Sequence, residues 1–327
     1  MSEITMIEAI RKAMEEALKE NPNTLILGAD VGLCGGVFRA TLGLQEKYSA
    51  ERVMDTPLAE ASIVGVGIGA ALSGMRPICE IQFADFIHPA FNQIINEAAR
   101  MCYRSNGQWN VPMVIRVPYG GGNSGGLYHS QSVEAYFTHT PGLKVVVPSN
   151  PYDAKGLLKA AIEDPNPVIF LEPKLGYYTL KGEAPDQPYQ VAIGTANVTR
   201  PGSDISILTY GMMHQYALQA AEIVSQEGIE AEVIDLRTLY PVDRATILQS
   251  VRRTNRALIV HEDNQTGGYG AEIAAILADE AFTNLDAPVR RLCAPDVPSV
   301  PFSAPMQNWF MPNTEKIAAE IRALTAF

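Results

Sequence analysis

The stretch DISILTYGMMHQYALQAAEIVSQEGIEAEVIDL, residues 204–236, reads as a strand, a helix and a second strand. Residues 204–210 and 231–236 are short and mostly apolar, whereas 214–227 repeat apolar residues three and four apart. The first pattern suits a buried strand and the second an amphipathic helix. A helix of this length between two such strands is a crossover, which makes the pair parallel and covers the sheet on its faces. The same alternation extends outward in both directions. Further strands are expected at 23–28, 111–117, 143–148, 167–171, 257–261 and 289–293, and helices at 4–19, 90–103, 152–163, 245–252 and 270–279. The fold class is therefore α/β, with both halves doubly wound.

A chain of 327 residues is long for one compact domain and suits two of roughly 150 residues each. Residues 176–204 lack helical periodicity and carry Pro, Gly and polar residues, so the boundary is placed there. The expected division is a first domain over 1–185, a linker over 186–199 and a second domain over 200–327. The tail 301–313, rich in Pro, aromatics and Met, reads as a segment laid over a surface where another subunit meets it.

Hydrophobic residues make up 47% and charged residues 19%, enough apolar material for buried cores. The formal net charge is -11, and no cluster of five Lys and Arg occurs, which removes the electrostatic footprint of a nucleic-acid binder. The N-terminus is an acidic amphipathic pattern and not a signal peptide, so a cytoplasmic protein is expected. The longest apolar run, 63–72, is half Gly and Ala and far short of the roughly 20 residues of a membrane span. It reads as core. The four cysteines lie far apart with no C-x-x-C pair and read as reduced packing residues.

Three places could carry chemistry. Glu60 follows Thr56 and Pro57, read as N-cap and first helical position, and precedes a helix too apolar to face water. Desolvation and the helix N-terminus would then pull its proton affinity in opposite directions. It could equally be an ordinary acid in a helix's first turn. The second place is PYGGGNSGGLYHSQS, 118–132, whose five glycines suit a loop bringing backbone close to a ligand or a subunit. His129 would project from it as an acid, base or polarising group, or else be a plain surface histidine. The third, TGGYGAE at 266–272, reads as a tight strand-to-helix turn, since the acidic HEDN before it repels phosphate. Gly122, Ser124 and Gly126 formally satisfy G-x-S-x-G, and Gly120, Gly122 and Gly125 satisfy G-x-G-x-x-G, but the run continues into LYHSQS instead of a helix. No P-loop or H-E-x-x-H motif occurs.

Taken together, GADVGLCGGVFRAT, RVMDTPLAEASIVGVGIGAAL, EIQFADFIHPAFNQIINEAAR, LYHSQSVEAYFTHTPGLKVVVPSNPYDAKGLL, DPNPVIFLEPK and VIDLRTLYPVD resemble the beta subunits of 2-oxo acid dehydrogenases, across essentially the whole chain. The resemblance implies a transketolase-like fold, a pyrimidine-binding domain followed by a transketolase C-terminal domain. It implies thiamine diphosphate shared with an alpha subunit that holds the diphosphate and Mg²⁺ through a G-D-G motif, and no G-D-G occurs here. Glu60 matches the glutamate that hydrogen-bonds the aminopyrimidine, with Leu58, Gln82 and Phe86 beside the cofactor. His129 matches the loop histidine that assists acyl transfer. Backbone carbonyls matching Met113, Ala161, Ile162, Asp164 and Asn166 imply a structural K⁺. Ala29 stands where relatives carry an acid of a proton route between two active sites, so Asp30 or water would substitute, or that coupling would be absent. The implied assembly is a two-alpha, two-beta heterotetramer that docks on a lipoyl-bearing acyltransferase. LYHSQS looks like the branched-chain enzymes, with pyruvate and acetoin enzymes open. Rival readings are a transketolase-like ligase split over two chains and a non-enzymatic nucleotide-binding module centred on Gly267.

Overall fold

The computed structural model describes residues 2–327. The chain divides into two compact units, the first comprising Met1–Tyr119 and Tyr136–Ile193 and the second Gly120–Ala135 and Gly194–Phe327. One division between the units falls at Ile193, and the other sets Gly120–Ala135 apart from the rest of the first 193 residues. That the glycine loop Gly120–Ala135 groups with the second unit is a long-range arrangement to which the sequence gives no local clue.

The first unit contains strands β1 (Ser2–Thr5), β2 (Thr24–Gly28), β3 (Val53–Asp55), β4 (Arg76–Glu80), β5 (Val114–Tyr119), β6 (Lys144–Val146), β7 (Val168–Pro173) and β8 (Lys181–Ala184). Six of them form a parallel sheet in the order β6-β7-β5-β4-β2-β3, while β1 and β8 pair antiparallel. Register places Ile26, Ile78, Val114 and Val168 in one row across the sheet, all buried, as expected of strands covered on both faces. The helix Met6–Glu20 starts two residues later than its periodicity suggests. Ile4 belongs to β1, and Thr5 caps the helix in a reciprocal box with Glu8. Its apolar stripe, Met6, Ile10 and Met14 among others, packs against the helix Pro151–Glu163 in one core. Residues 92–98 wind as a π-helix before an α-helical turn, Ala99–Arg104, within the single helix expected at 90–103.

The second unit contains β9 (Asn197–Arg200), β10 (Ile205–Thr209), β11 (Ala231–Asp235), β12 (Thr238–Tyr240), β13 (Ala257–Asn264) and β14 (Arg290–Ala294). Five make a sheet in the order β14-β13-β10-β11-β9, parallel except for the antiparallel edge strand β9. The helix Met212–Ser225 is the crossover between β10 and β11. Among the described residues no helix is long and apolar enough to cross a membrane.

The helix Glu60–Leu72 departs from expectation twice. It is not capped by Thr56: the Thr56 N–H donates to Gly28 O at 3.0 Å, extending the β2–β3 pairing, and its hydroxyl donates to Pro57 O. Helical backbone begins only at Glu60, after Ala59. Nor is the helix wholly core. Ile63, Val64, Ile68 and Ala71 are buried, but Val66 is 56% exposed and Leu72 is 42% exposed.

Candidate active site

In the first unit, strands β2, β3 and β4 end together, with Gly28 paired to Asp55 on one side and to Glu80 on the other. The chain leaving β3 carries Leu58 and Glu60, and the chain leaving β4 carries Gln82 and Phe86. All four therefore lie beyond the carboxyl ends of neighbouring parallel strands, where open α/β sheets bind ligands. Glu60 is half-buried at the first position of its helix, where no side chain caps the free N–H groups and the dipole favours a negative charge. Leu58 is 69% exposed. The Gln82 amide donates to Ala29 O at 3.4 Å, tying the end of β4 to that of β2. Phe86 is half-buried and meets Phe83 edge-on, centroids 5.7 Å apart. Phe83 meets Phe38, which in turn packs on Tyr177. Ala29 is buried and offers no acid. The adjacent Asp30 occupies a left-handed turn, φ 60°, with its side chain exposed.

Beneath this edge lies a charged group in the centre of the sheet. The Arg116 guanidinium, fully buried, donates to Glu172 through Nε at 2.7 Å and Nη2 at 2.8 Å, and to Glu80 through Nη1 at 2.7 Å. The Tyr177 hydroxyl also donates to Glu172. Burial raises the Glu80 carboxyl above the usual carboxylate range, against the pull of Arg116. Burial opposes the charge on Arg116, but Glu172 and Glu80 outweigh it, and the guanidinium stays protonated. Sequence reasoning did not single out these residues. The available signal was a charge inside an apolar strand run, Arg116 in VIRV, which a buried strand tolerates only if paired.

His129 belongs to the second unit. It is exposed and follows the short 3-10 turn Gly126–Tyr128, within a loop whose Gly120, Gly122 and Gly126 all take positive φ. No α-helix follows Ser124 or Gly125 directly, so neither formal glycine motif has the geometry of a nucleophile elbow or a dinucleotide turn. Around 266–272 the chain makes a strand-to-helix turn. A Cβ on Gly268 would lie 2.2 Å from Asn264 O and one on Gly270 2.6 Å from His261 Nε2, so these glycines serve close packing. Cys293 Sγ lies 3.2 Å from His261 Nε2. Burial holds that histidine down at about 4 and pushes the thiol up to about 12, so both are neutral near pH 7 and the pair is no thiolate nucleophile.

Met113 lies just ahead of β5, and Ala161, Ile162, Asp164 and Asn166 run from the last turn of the helix Pro151–Glu163 to the start of β7, at the amino ends of these interior strands. Arg76 Nη1 donates to Ile162 O at 2.8 Å and reaches Asp164 O at 3.5 Å, while Met113 O accepts from the Val168 N–H at 3.0 Å. Lys144 pairs with the Asp164 carboxylate. Each carbonyl oxygen has a second lone pair, so the turn retains acceptors for a monovalent ion. Among the described residues no three His, Cys, Asp or Glu side chains converge as a metal-holding group.

Residues 2–179 match the family described as transketolase, pyrimidine binding domain, and residues 194–317 match transketolase, C-terminal domain. The 2-oxoisovalerate dehydrogenase subunit beta of Bacillus subtilis (strain 168) is 53% identical over 327 residues, covering 100% of both chains. The chain belongs to the family of 2-oxo acid dehydrogenase beta subunits. Within that family the pyruvate dehydrogenase E1 component subunit beta of Bacillus subtilis (strain 168) is 45% identical, again over 100% of both chains. Among solved structures, a split gene transketolase described as an inactive beta4 tetramer superposes with a TM-score of 0.81 at 26% identity, covering 99% of this chain and 98% of that one. Glu60, Leu58, Gln82, Phe86 and His129 all lie within residues 2–179 matched to the pyrimidine-binding domain, although the loop carrying His129 groups with the second unit.

Proposed function

We propose that this chain is the beta subunit of a branched-chain 2-oxo acid dehydrogenase, working with an alpha subunit in a two-alpha, two-beta assembly and passing its acyl product to a lipoyl-bearing acyltransferase. The observation that carries the reading is the 53% identity with the 2-oxoisovalerate dehydrogenase beta subunit over the whole of both chains. The site supports it chemically. One half-buried carboxylate, one amide, one apolar side chain and one aromatic ring, with no cation among them, suit a neutral heteroaromatic ring with hydrogen-bonding edges, such as the aminopyrimidine of thiamine diphosphate. The diphosphate and its Mg²⁺ belong to the alpha subunit, since this chain lacks G-D-G.

When bound, thiamine diphosphate supplies the electron sink that makes loss of CO₂ from a 2-oxo acid feasible. Glu60 shares a proton with a ring nitrogen. Its position at a half-buried helix start with no side-chain cap would leave the carboxylate free to make that hydrogen bond. Phe86 packs against the ring face, Gln82 offers its amide, and Leu58 closes the apolar side. His129, exposed on its loop, holds or gives up a proton at the acyl group being transferred. The backbone carbonyls of Met113, Ala161, Ile162, Asp164 and Asn166 would hold a K⁺ ion, which would supply a fixed positive charge at the turn before β7. The superposition on the split gene transketolase favours a second reading, a ligase divided over two chains, but 26% identity is weaker support than 53%.

The test is to co-express the chain with an alpha-type partner, supply thiamine diphosphate and Mg²⁺, and follow decarboxylation of 2-oxoisovalerate and pyruvate with an artificial electron acceptor. Activity should appear only in the pair and favour 2-oxoisovalerate. A folded, cofactor-loaded pair that ignores 2-oxo acids and transfers ketol units between sugars would overturn the reading in favour of the ligase.

A further inference from the structure

The segment Gly120–Ala135 is attached to the second unit by contacts remote in sequence. The Gly121 N–H donates to Glu262 Oε2 at 2.8 Å, and a Cβ on Gly120 would lie 2.8 Å from the same oxygen. With its amide carbonyl turned inward, Gln307 accepts from the N–H groups of Gly122 and Ser124, both at 3.3 Å. The Phe302 ring lies against Gly126. At the far end of the segment, Glu134 is fully buried and its Oε1 accepts from the Tyr210 hydroxyl at 2.8 Å. Tyr210 is itself immobilised. Its ring stacks on His261, 9° from parallel, and meets Tyr269 edge-on, and the Tyr269 hydroxyl donates to Leu239 O. Tyr210 and Glu262 sit near the carboxyl ends of the adjacent parallel strands β10 and β13, so both attachments of the loop are built on inner strands of the sheet.

We propose that Glu134 is a positioning residue: through Tyr210 it fixes the loop that presents His129, and so governs acyl transfer without touching the reacting atoms. This rests on the reading of His129 given above. Glu134 does so as a neutral acid. Burial, then the nearby Asp263 carboxyl, then Glu262, push its carboxyl well above the usual carboxylate range, against the backbone and Tyr210 hydrogen bonds. Asp263 is itself pushed up to about 6 by burial. Glu134 Oε2 has no hydrogen-bond partner, so an ionised Glu134 would hold an unpaired charge in the core beside two like charges. The uncharged amide of Gln keeps the acceptor for Tyr210 and turns two donors toward Glu262 and Asp263, whereas Ala removes the acceptor and leaves a cavity.

The experiment uses the full chain assembled with its alpha subunit. Hydrogen–deuterium exchange is read on peptides covering 120–135, alongside acyl transfer to lipoamide and decarboxylation with an artificial acceptor. Glu134→Ala and Tyr210→Phe should speed exchange of this segment about ten-fold, the equivalent of one net buried hydrogen bond. Peptides from β2 and β4 should be unmoved. Acyl transfer should fall further than decarboxylation, and Glu134→Gln should stay within about three-fold of wild type in exchange, as a neutral hydrogen-bonding isostere can. Unchanged exchange in Glu134→Ala, or a Gln variant as loose as the Ala variant, overturns the proposal. His129→Ala separates this failure from that of the underlying reading. Full acyl transfer in that variant removes the role of His129, while the loop-fixing role of Glu134 is decided by exchange alone.

Discussion

Replacing Arg116 with Met should destabilise the first unit far more than an average core substitution. The guanidinium makes three charge-assisted hydrogen bonds of 2.7–2.8 Å to Glu80 and Glu172, whose residues are 4% and 0% exposed. Met fills much of the volume but leaves two carboxyls in the sheet with no positive charge between them. Removing one partner from a buried ionic group costs about 3–5 kcal/mol. Taking about 4 kcal/mol and a urea slope of about 2 kcal/mol per M, the midpoint falls by roughly 2 M. The chain has two tryptophans, Trp109 in the first unit and Trp309 in the second, so a Trp309→Phe background lets fluorescence report on the first unit alone. The pH dependence has a definite sign. In the Met variant the Glu80 carboxyl, already raised by burial, loses the cation that opposed that rise, so its folded proton affinity climbs further above the unfolded value. Groups shifted upward contribute stability at low pH that is lost as pH rises through the folded value. The deficit relative to wild type should therefore be smaller at pH 5 than at pH 7.5. Converting Glu80 and Glu172 to Gln in the Met background should restore at least half of it, since neutral amides need no counter-charge. A midpoint shift equivalent to less than about 1 kcal/mol, the size of a surface pair, or a deficit indifferent to pH, would refute this account of the sheet.

Three further outcomes are expected. Glu60→Gln should assemble normally with the alpha subunit yet lower decarboxylation of the preferred 2-oxo acid by at least about 10²-fold, since a positioned proton-sharing group contributes that much; wild-type turnover in the purified pair would remove Glu60 from the site. His129→Ala should reduce acyl transfer to lipoamide by about 10²-fold and artificial-acceptor decarboxylation by less than about 10-fold, measured side by side on one preparation. Exchanging K⁺ for choline should lower the melting temperature by roughly 3 °C, taking about 1.4 kcal/mol for an ion at ten times its Kd, with Na⁺ as control. An unchanged melting curve would show that Arg76 and Lys144 alone suffice at that turn.

The parts of the fold that were legible in the sequence are those where one local pattern acts alone. β10, the helix Met212–Ser225 and β11 lie within a few residues of their expected bounds, because buried parallel strands and a crossover helix each leave their own period. β4 was missed for a physical reason. Its sequence RPICE has a proline at the second position and a charge at each end, and proline inside a central strand loses a ladder donor. β4 is nonetheless central, between β2 and β5, with Leu25 opposite Pro77 and with Glu80 neutralised by Arg116 from the next strand. Tertiary pairing there overrides propensity, and no window of five residues contains the compensating charge. The same holds for the candidate site. Glu60 and His129 stood out from their local settings, a helix start and a glycine-rich loop, and the resemblance gave them roles; the structure adds the strand ends beneath Glu60 and the attachments of the His129 loop. Those attachments span long separations, 76 residues from Glu134 to Tyr210 and 141 from Gly121 to Glu262. In the linear sequence Glu134 is only the acid that opens EAYFT, a plausible first-turn residue of a short helix. Folded, it is a buried acid facing Glu262 and Asp263, an arrangement too costly to persist for packing alone when an apolar residue would fill the space more cheaply. A cost of that kind at the root of a loop presenting the one histidine expected to touch substrate implies that what Glu134 supplies is directional, a hydrogen bond that fixes the loop in one place, and an apolar replacement should leave the Tyr210 hydroxyl without its acceptor, loosen the loop and transfer acyl groups poorly.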